Sequence, residues 1–381
     1  MLLSYLPSSH EEITALLSNY KGIAIIATVA FSLLVTLVVM PKVVAISKEK
    51  NLTALPDDRT SHKGIVPTLG GVGVFTGLML TINIVAILFA NYSQLIDLLI
   101  FNALVLSLLL VGIFDDIMDL APRRKFGYQT AIATIYIVGT NVHIDSFMGL
   151  FGFEQLSTLF AIVFSVFVII LVINAYNLID GIDGLAGVLG VVISSYMTAV
   201  FYFSGYFFYS LMCISLVGAL FGFLVFNFSR HRKIFLGDTG SMVVGFLLAI
   251  EVISYLSIAA HKTELLLFKN APVIVMALLS YPLFDTLRVF CIRIYNKRSP
   301  FSADRNHIHH RLIDLGLKHK YATLIIGFYT IIITGVAFFL NHLPINIEFA
   351  ITLPLGILLL LSPFVVKVKK VKKLKWSVSK S

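Results

Sequence analysis

Runs of roughly twenty mostly apolar residues follow one another along the chain, separated by short polar stretches. They fall at about 22–41, 69–90, 96–114, 128–144, 158–175, 185–205, 207–228, 239–260, 271–294, 321–340 and 347–366. About 20 apolar residues in a helix span the hydrocarbon of a bilayer, where backbone polar groups must satisfy one another. The pattern therefore predicts an all-α polytopic integral membrane protein with about eleven transmembrane helices. The fourth run is the weakest, interrupted by Thr130, Thr134, Thr140 and Asn141. The ninth carries Asp285 and Arg288, which leaves its end unsettled. The longest gaps, about 42–68 and 295–320, are too short for a soluble domain with its own core. Residues 1–381 thus read as a single transmembrane domain whose chemistry sits on helix ends and short loops.

Composition agrees. Apolar residues make up 58% of the chain and charged ones 13%, against roughly 45–50% and about 25% in soluble domains. Such a chain cannot cover a water-facing surface, and disorder, coiled coil and disulfide scaffold are excluded with it. Cys213 and Cys291 lie in apolar runs and are expected to pack as small hydrophobes. The first run follows a segment with Glu11 and Glu12 in place of a basic n-region, so no cleaved signal peptide is expected.

Charge predicts orientation. Of the 29 Lys and Arg residues, all but Lys21, Lys262 and Lys269 lie in or beside the loops that follow odd-numbered spans. The positive-inside rule places those loops in the cytoplasm, the N-terminus outside and the C-terminus inside. The net charge of +9 reads as topology. No groove or stacking platform suggests nucleic acid as a partner. The basic tail, 367–381, is expected to rest on anionic lipid headgroups.

Polar residues in such a chain carry most of the functional information, and four clusters fall on the basic side. Gly112-Ile-Phe-Asp115-Asp116-Ile-Met-Asp119 ends the third span. If the helix continues, Asp119 lies on the face of Asp115 and Asp116, and three converging acids call for a cation or protons. The competing reading is a solvated helix end balanced by Arg123, Arg124 and Lys125. Asn174-Ala-Tyr-Asn177-Leu-Ile-Asp180-Gly-Ile-Asp183-Gly184 ends the fifth span, with no Lys or Arg to neutralise its acids. Here helix capping by Asn177 and Asp180 is the plain alternative. Gly237-Asp238-Thr239-Gly240-Ser241 opens the eighth span and suits either an anion nest with a Mg²⁺ carboxylate or an ordinary N-cap. Asp304-Arg305-Asn306-His307-Ile308-His309-His310-Arg311 lies in the last long loop. Its flanking arginines favour an anion over zinc, whose helical i, i+4 spacing is absent. A fifth stretch, Arg59 to Gly71, offers Lys63 to a phosphate and glycines to close helix packing.

Taken in order, these motifs resemble the polyprenyl-phosphate N-acetylhexosamine-1-phosphate transferase family, glycosyltransferase family 4. The matches are His62-Lys63-Gly…Val66-Pro67…Gly70-Gly71, Asp115-Asp116-x-x-Asp119, Asn177-x-x-Asp180-Gly-x-Asp183-Gly, Gly237-Asp238-Thr239-Gly240-Ser241 and His307-Ile308-His309-His310, across about 56–316. The resemblance implies transfer of a sugar-1-phosphate from a UDP-N-acetyl sugar to undecaprenyl phosphate, releasing UMP and initiating a cell-surface polysaccharide. It implies a multi-pass protein of the bacterial inner membrane, active at the cytoplasmic face. Mg²⁺ is the implied cofactor, with Mn²⁺ as a substitute, and Asp238 its ligand. Asp115, Asp116 and Asp119 form the implied catalytic set, with Asp115 as base. Asn177, Asp180 and Asp183 form a nucleotide wall. Lys63, Arg293, Arg305, His307, His309 and His310 hold phosphate and sugar. A second copy of the chain is a candidate partner.

The His307-Ile308-His309-His310 pattern, in place of three consecutive histidines, resembles the branch using simple N-acetylhexosamines. It points to UDP-GlcNAc ahead of UDP-GalNAc. A nucleotide-sugar or divalent-cation transporter is the alternative from another class, and Glu251, halfway along the eighth span, is the residue that fits it better.

Overall fold

The computed structural model describes residues 20–54, 66–262, 267–299 and 305–366. Lys63 and the tail 367–381 lie outside the described residues. The helices are α1 (Lys21–Glu49), α2 (Gly70–Phe89), α3 (Tyr92–Met118), α4 (Pro122–Thr140), α5 (Thr158–Ile179), α6 (Leu185–Phe203) and α7 (Phe207–Asn227). They continue with α8 (Gly237–Ala259), α9 (Ala271–Leu278), α10 (Ser280–Tyr295), α11 (Ile308–Asp314), α12 (His319–Leu340) and α13 (Ile345–Val365). Two short strands, β1 (Thr53–Ala54) and β2 (Val66–Pro67), pair antiparallel between α1 and α2.

All eleven apolar runs are helical. Among the described residues nine helices are long and apolar enough to cross a membrane, and α9 with α10, bent by 67°, makes a tenth. The expected eleventh, α4, is a regular helix whose apolarity falls short of that standard. Its hydroxyls are nonetheless satisfied within it: Thr130, Thr134 and Thr140 each donate to a carbonyl four residues back at 2.8 Å. At 1.5 Å per residue α4 is about 28 Å long, close to the hydrocarbon thickness.

α8 is buried on nearly every face, as expected of a helix that is apolar all round. It packs against α2, α3, α5 and α6. α1 turns Ile23, Ile26, Leu34 and Val38 outward, a surface suited to lipid and not to water. Cys213 is buried as expected, whereas Cys291 is exposed on α10.

The loops sort to two ends. At one, Lys125 in the first turn of α4 reaches Asp115 and Asp238. At the other, Asp145 after α4 meets His261 at 3.0 Å, and Asn270 donates to the carbonyl of Leu343 at 2.9 Å. α4 therefore runs from one end of the bundle to the other.

Candidate active site

The site is built where α2, α3 and α8 come together. The Cβ atoms that Gly71 and Gly112 lack would stand 2.2 Å from the Gly240 nitrogen and 2.5 Å from the Thr239 Cα. Only glycine allows backbones this close. β2 and the turn after it then hydrogen-bond to the segment before α8: Phe235 N–H donates to Pro67 O, Gly70 N–H to Phe235 O and Gly71 N–H to Leu236 O, at 2.8–2.9 Å. The described part of the Arg59–Gly71 stretch is thus a brace for the Gly237–Ser241 turn.

Asp116 completes that turn. Its Oδ1 accepts from the Asp238 N–H and its Oδ2 from the Thr239 N–H, both at 2.9 Å, and from the Thr239 hydroxyl. Asp115, one residue earlier, is buried and lies 2.6 Å from the Lys125 ammonium. The same ammonium is 3.4 Å from Asp238. Asn177 donates to Asp238 Oδ1 and, at 2.7 Å, to the Ser241 hydroxyl. Three motifs far apart in sequence therefore meet around Asp238.

Asp119 departs from expectation. α3 stops at Met118, and Asp119 is its C-cap in the left-handed region with φ 50° and an exposed side chain. Pro122 opens α4 and disfavours helix just before it. With the helix ended at Met118 and Asp119 in the left-handed region, the expected stacking of Asp119 on Asp115 and Asp116 is not formed.

The loop after α5 splits its two acids. Asp183 is paired with Lys233 at 2.7 Å and with His319 at 3.1 Å. Burial pushes its carboxyl up, but those hydrogen bonds and the Lys233 charge outweigh it and hold the group below the usual range. The Asp180 carboxyl makes no hydrogen bond or ion pair among the described residues, its backbone N–H alone donating to the Asn177 carbonyl. Burial, then the charges of Asp238, Asp116 and Asp183, push its carboxyl up to about 8. A carboxyl surrounded by three others and lacking a counter-ion has the character of a cation ligand. Mg²⁺ fits this donor set, with Asp180 and Asp238 as the residues to hold it.

The histidine run packs against this loop. A Cβ on Gly181 would stand 2.6 Å from His309 Nε2, and His309 Nδ1 lies 3.1 Å from the Tyr281 hydroxyl. Burial, then the neighbouring histidines, push His309 well below its usual value. Burial also leads in bringing His310 down to about 4. Both are neutral near pH 7. A neutral imidazole still offers one N–H to an oxygen, so such a ring would meet phosphate or sugar as a hydrogen-bond donor and not as a charge. Arg293 is buried at the end of α10, and Arg305 is exposed at the start of the run. Donor atoms of Asp285, His307 and His309 lie within 4.8 Å of one another. Asp285 already accepts from His307 Nδ1 and the Ile308 N–H, each at 2.8 Å. Within the trio, hydrogen bonding joins Asp285 to His307, while His309 Nε2 is buried without a partner.

Four residues reach the site without having been singled out for it. Lys125 was read only as a balancing charge, yet it bridges Asp115 and Asp238. Lys233 and His319 neutralise Asp183 from 50 and 136 residues away. Asp285 alone had a signal in the sequence, as an acid within an apolar run.

The chain matches the model for glycosyl transferase family 4 over residues 98–256, which include Asp115 through Asp238. It is 31% identical over 308 residues to the probable undecaprenyl-phosphate N-acetylglucosaminyl 1-phosphate transferase of Bacillus subtilis (strain 168), covering 80% of this chain and 82% of that protein. It is 26% identical over 285 residues to the undecaprenyl-phosphate alpha-N-acetylglucosaminyl 1-phosphate transferase of Escherichia coli O157:H7, covering 74% of each. The enzyme of the same name from Salmonella typhi is 28% identical over 292 residues, again 74% of each. The chain belongs to glycosyl transferase family 4.

Proposed function

We propose that this protein transfers N-acetylglucosamine-1-phosphate from UDP-GlcNAc to undecaprenyl phosphate, releasing UMP, as the first step of a cell-surface polysaccharide. The observation that carries the reading is the unpaired Asp180 among Asp116, Asp183 and Asp238, with Lys125 bridging Asp115 to Asp238. Two polyanions can meet only where cations screen them. The names of the relatives support undecaprenyl phosphate as acceptor and N-acetylglucosamine-1-phosphate as the group transferred, and the shift from three consecutive histidines to His307-Ile308-His309-His310 favours a simple N-acetylhexosamine.

In this reading an oxygen of the lipid phosphate attacks the sugar-bearing phosphorus, and the bond from that phosphorus to UMP breaks. Lys125 turns from Asp115 toward the incoming phosphate, freeing Asp115 to take its remaining proton. Asn177 and Asp116 hold Asp238 in place. Mg²⁺ on Asp180 and Asp238, with Mn²⁺ as a substitute, would draw charge from the pyrophosphate oxygens. Eleven crossings, an outside N-terminus and a cytoplasmic active face in the bacterial inner membrane are the topology that suits a soluble UDP-sugar and the distribution of basic residues. The transporter alternative has little left to rest on: the acids gather at one end of the bundle, and Glu251 is held in the core by the Ser194 hydroxyl at 2.9 Å.

The test is UMP release by purified protein supplied with undecaprenyl phosphate and a panel of UDP-sugars, with and without Mg²⁺. UDP-GlcNAc is expected to turn over, with UDP-GalNAc second. Efficient use of UDP-MurNAc-pentapeptide with none for any simple N-acetylhexosamine overturns the reading.

A further inference from the structure

Glu251 is an acid that the transferase chemistry leaves unused. It sits in the middle of α8, about 20 Å along the helix from Asp238 at 1.5 Å per residue. It is only 9% exposed, and a buried acid in an apolar helix is costly unless something meets it. The Ser194 hydroxyl lies 3.0 and 2.9 Å from its two oxygens but has a single proton to give.

Glu251 lines a cavity of about 50 Å³. From Glu251 the cavity runs to the end of the bundle away from Asp115, where Asp97 in the second turn of α3 and Thr140 at the end of α4 line it. No lysine, arginine or histidine lines it. The Asp97 carboxyl makes no hydrogen bond or ion pair among the described residues. The Ser254 hydroxyl, buried in the wall, has no hydrogen-bond partner either. Around these groups stand Phe101, Tyr136, Phe201, Phe208 and Tyr209, with the rings of Phe201 and Tyr209 5.4 Å apart centre to centre.

This lining selects among ligands. Two carboxylates with no counter-charge turn away an anion and favour a cation. A divalent metal ion asks for about six oxygen ligands, whereas rings and apolar side chains make up most of this wall. An ammonium suits both halves: its N–H groups donate to carboxylates, and ring faces attract its positive charge. A water-sized group needs roughly 10–15 Å³ of such space, so three or four heavy atoms fill the cavity.

We propose that this cavity is a binding site for a small primary alkylammonium ion, its nitrogen on Glu251, its alkyl group against the aromatic wall, and Asp97 drawing it in at the mouth. The site lies apart from the reacting groups and stands whether or not the transferase reading holds.

Cys213 lines the same cavity and reports on it. In purified Cys291→Ala protein Cys213 is the one remaining cysteine. Its modification by methyl methanethiosulfonate, a small uncharged reagent, is followed by mass spectrometry while ethylammonium chloride replaces NaCl at constant ionic strength. Labelling is expected to slow with saturation, by about tenfold at ten times the half-saturating concentration. Ethanol over the same range is expected to leave the rate unchanged. Glu251→Gln should abolish the protection and Asp97→Asn weaken it. A rate indifferent to ethylammonium, equal protection by ethanol, or undiminished protection in Glu251→Gln overturns the proposal. Should Glu251→Gln not fold, Asp97→Asn and the contrast between ethylammonium and ethanol decide. Should Cys213 not label, the unfolding temperature decides: ethylammonium chloride is expected to raise it, saturably, above its value in NaCl, and the absence of that rise overturns the proposal.

Discussion

Asp116 caps the helix on which Asp238 sits: its two carboxylate oxygens take the N–H groups of Asp238 and Thr239, each at 2.9 Å. The start of α8 has donors with no partner in its own helix, and a carboxylate there is also favoured by the helix dipole. Asp116 thus works by fixing Asp238. Asp116→Ala is expected to lower stability by about 1–3 kcal/mol, the cost of leaving buried donors unmet, together with most of the activity. Asp116→Asn keeps one acceptor and should lose less stability. Thermal unfolding in detergent, run beside the UMP assay, checks both.

Close helix contact at Gly71 gives a second expectation. A Cβ there would stand 2.2 Å from the Gly240 backbone nitrogen, so α2 and α8 must part. Gly71→Ala should cost about 1–3 kcal/mol or more as an overpacked contact. Gly22→Ala, where nothing lies within 4 Å, serves as the control. Equal melting temperatures for the two variants would refute the packing argument.

Much of this architecture was legible because a bilayer makes periodicity almost irrelevant: run length and apolarity suffice. Every expected span is helical, though α4 shows that threonines returning their hydroxyls to the backbone blur the apolar signal. Asp115, Asp116, Asn177, Asp180 and Asp238 were visible as clustered polar groups at helix ends, and they do converge. The partners were not visible. Nothing local to Asp183 indicates that Lys233 and His319 will neutralise it, because that pairing depends on how α7, α8 and α12 pack. Asp119 was expected on the face of Asp115 and Asp116 only if the helix continued through it; the helix ends at Met118, and Asp119 leaves it in the left-handed region.

The Asp183 pair carries a pH signature. Its carboxyl is held below the usual range by His319 and Lys233 against burial. A depressed folded value means stability that is present above the unfolded value, near 3.8, and lost as pH falls through the folded one. Asp183→Asn should therefore be less stable than wild type at neutral pH. The gap should close in acid, below the usual carboxylate range. Urea unfolding of both proteins across that range measures it, and a gap constant with pH would count against the pairing.

Orientation can be tested at exposed loop positions. In a Cys291→Ala background, needed because Cys291 is exposed, single cysteines replace Ala121, His231 and Lys262. All three positions are exposed. The charge distribution places 121 and 231 in the cytoplasm and 262 outside. An impermeant thiol reagent applied to intact cells should label 262 alone. Labelling at 231 would invert the map and remove the active face from the compartment that holds UDP-sugars.

Lys125 is the residue whose loss should most change the ion dependence of the site. Its ammonium is 2.6 Å from Asp115 and 3.4 Å from Asp238, with only 14% of its side chain exposed. Removing one partner of a buried pair leaves the other charge unmatched, at a cost of about 3–5 kcal/mol. In Lys125→Met, Asp115 and Asp238 join Asp180 as acids without a counter-charge. The variant should be destabilised without divalent ion, and MgCl₂ should restore more stability to it than it adds to the wild type. Turnover should stay low even with Mg²⁺, by about 10² or more, since no ammonium remains to meet the incoming lipid phosphate. Lys125→Arg keeps the charge with a different reach and should retain more of both. Unfolding curves with and without MgCl₂ separate the two effects. A Lys125→Met protein with wild-type stability in the absence of Mg²⁺ would show that Lys125 is a bystander beside Asp115.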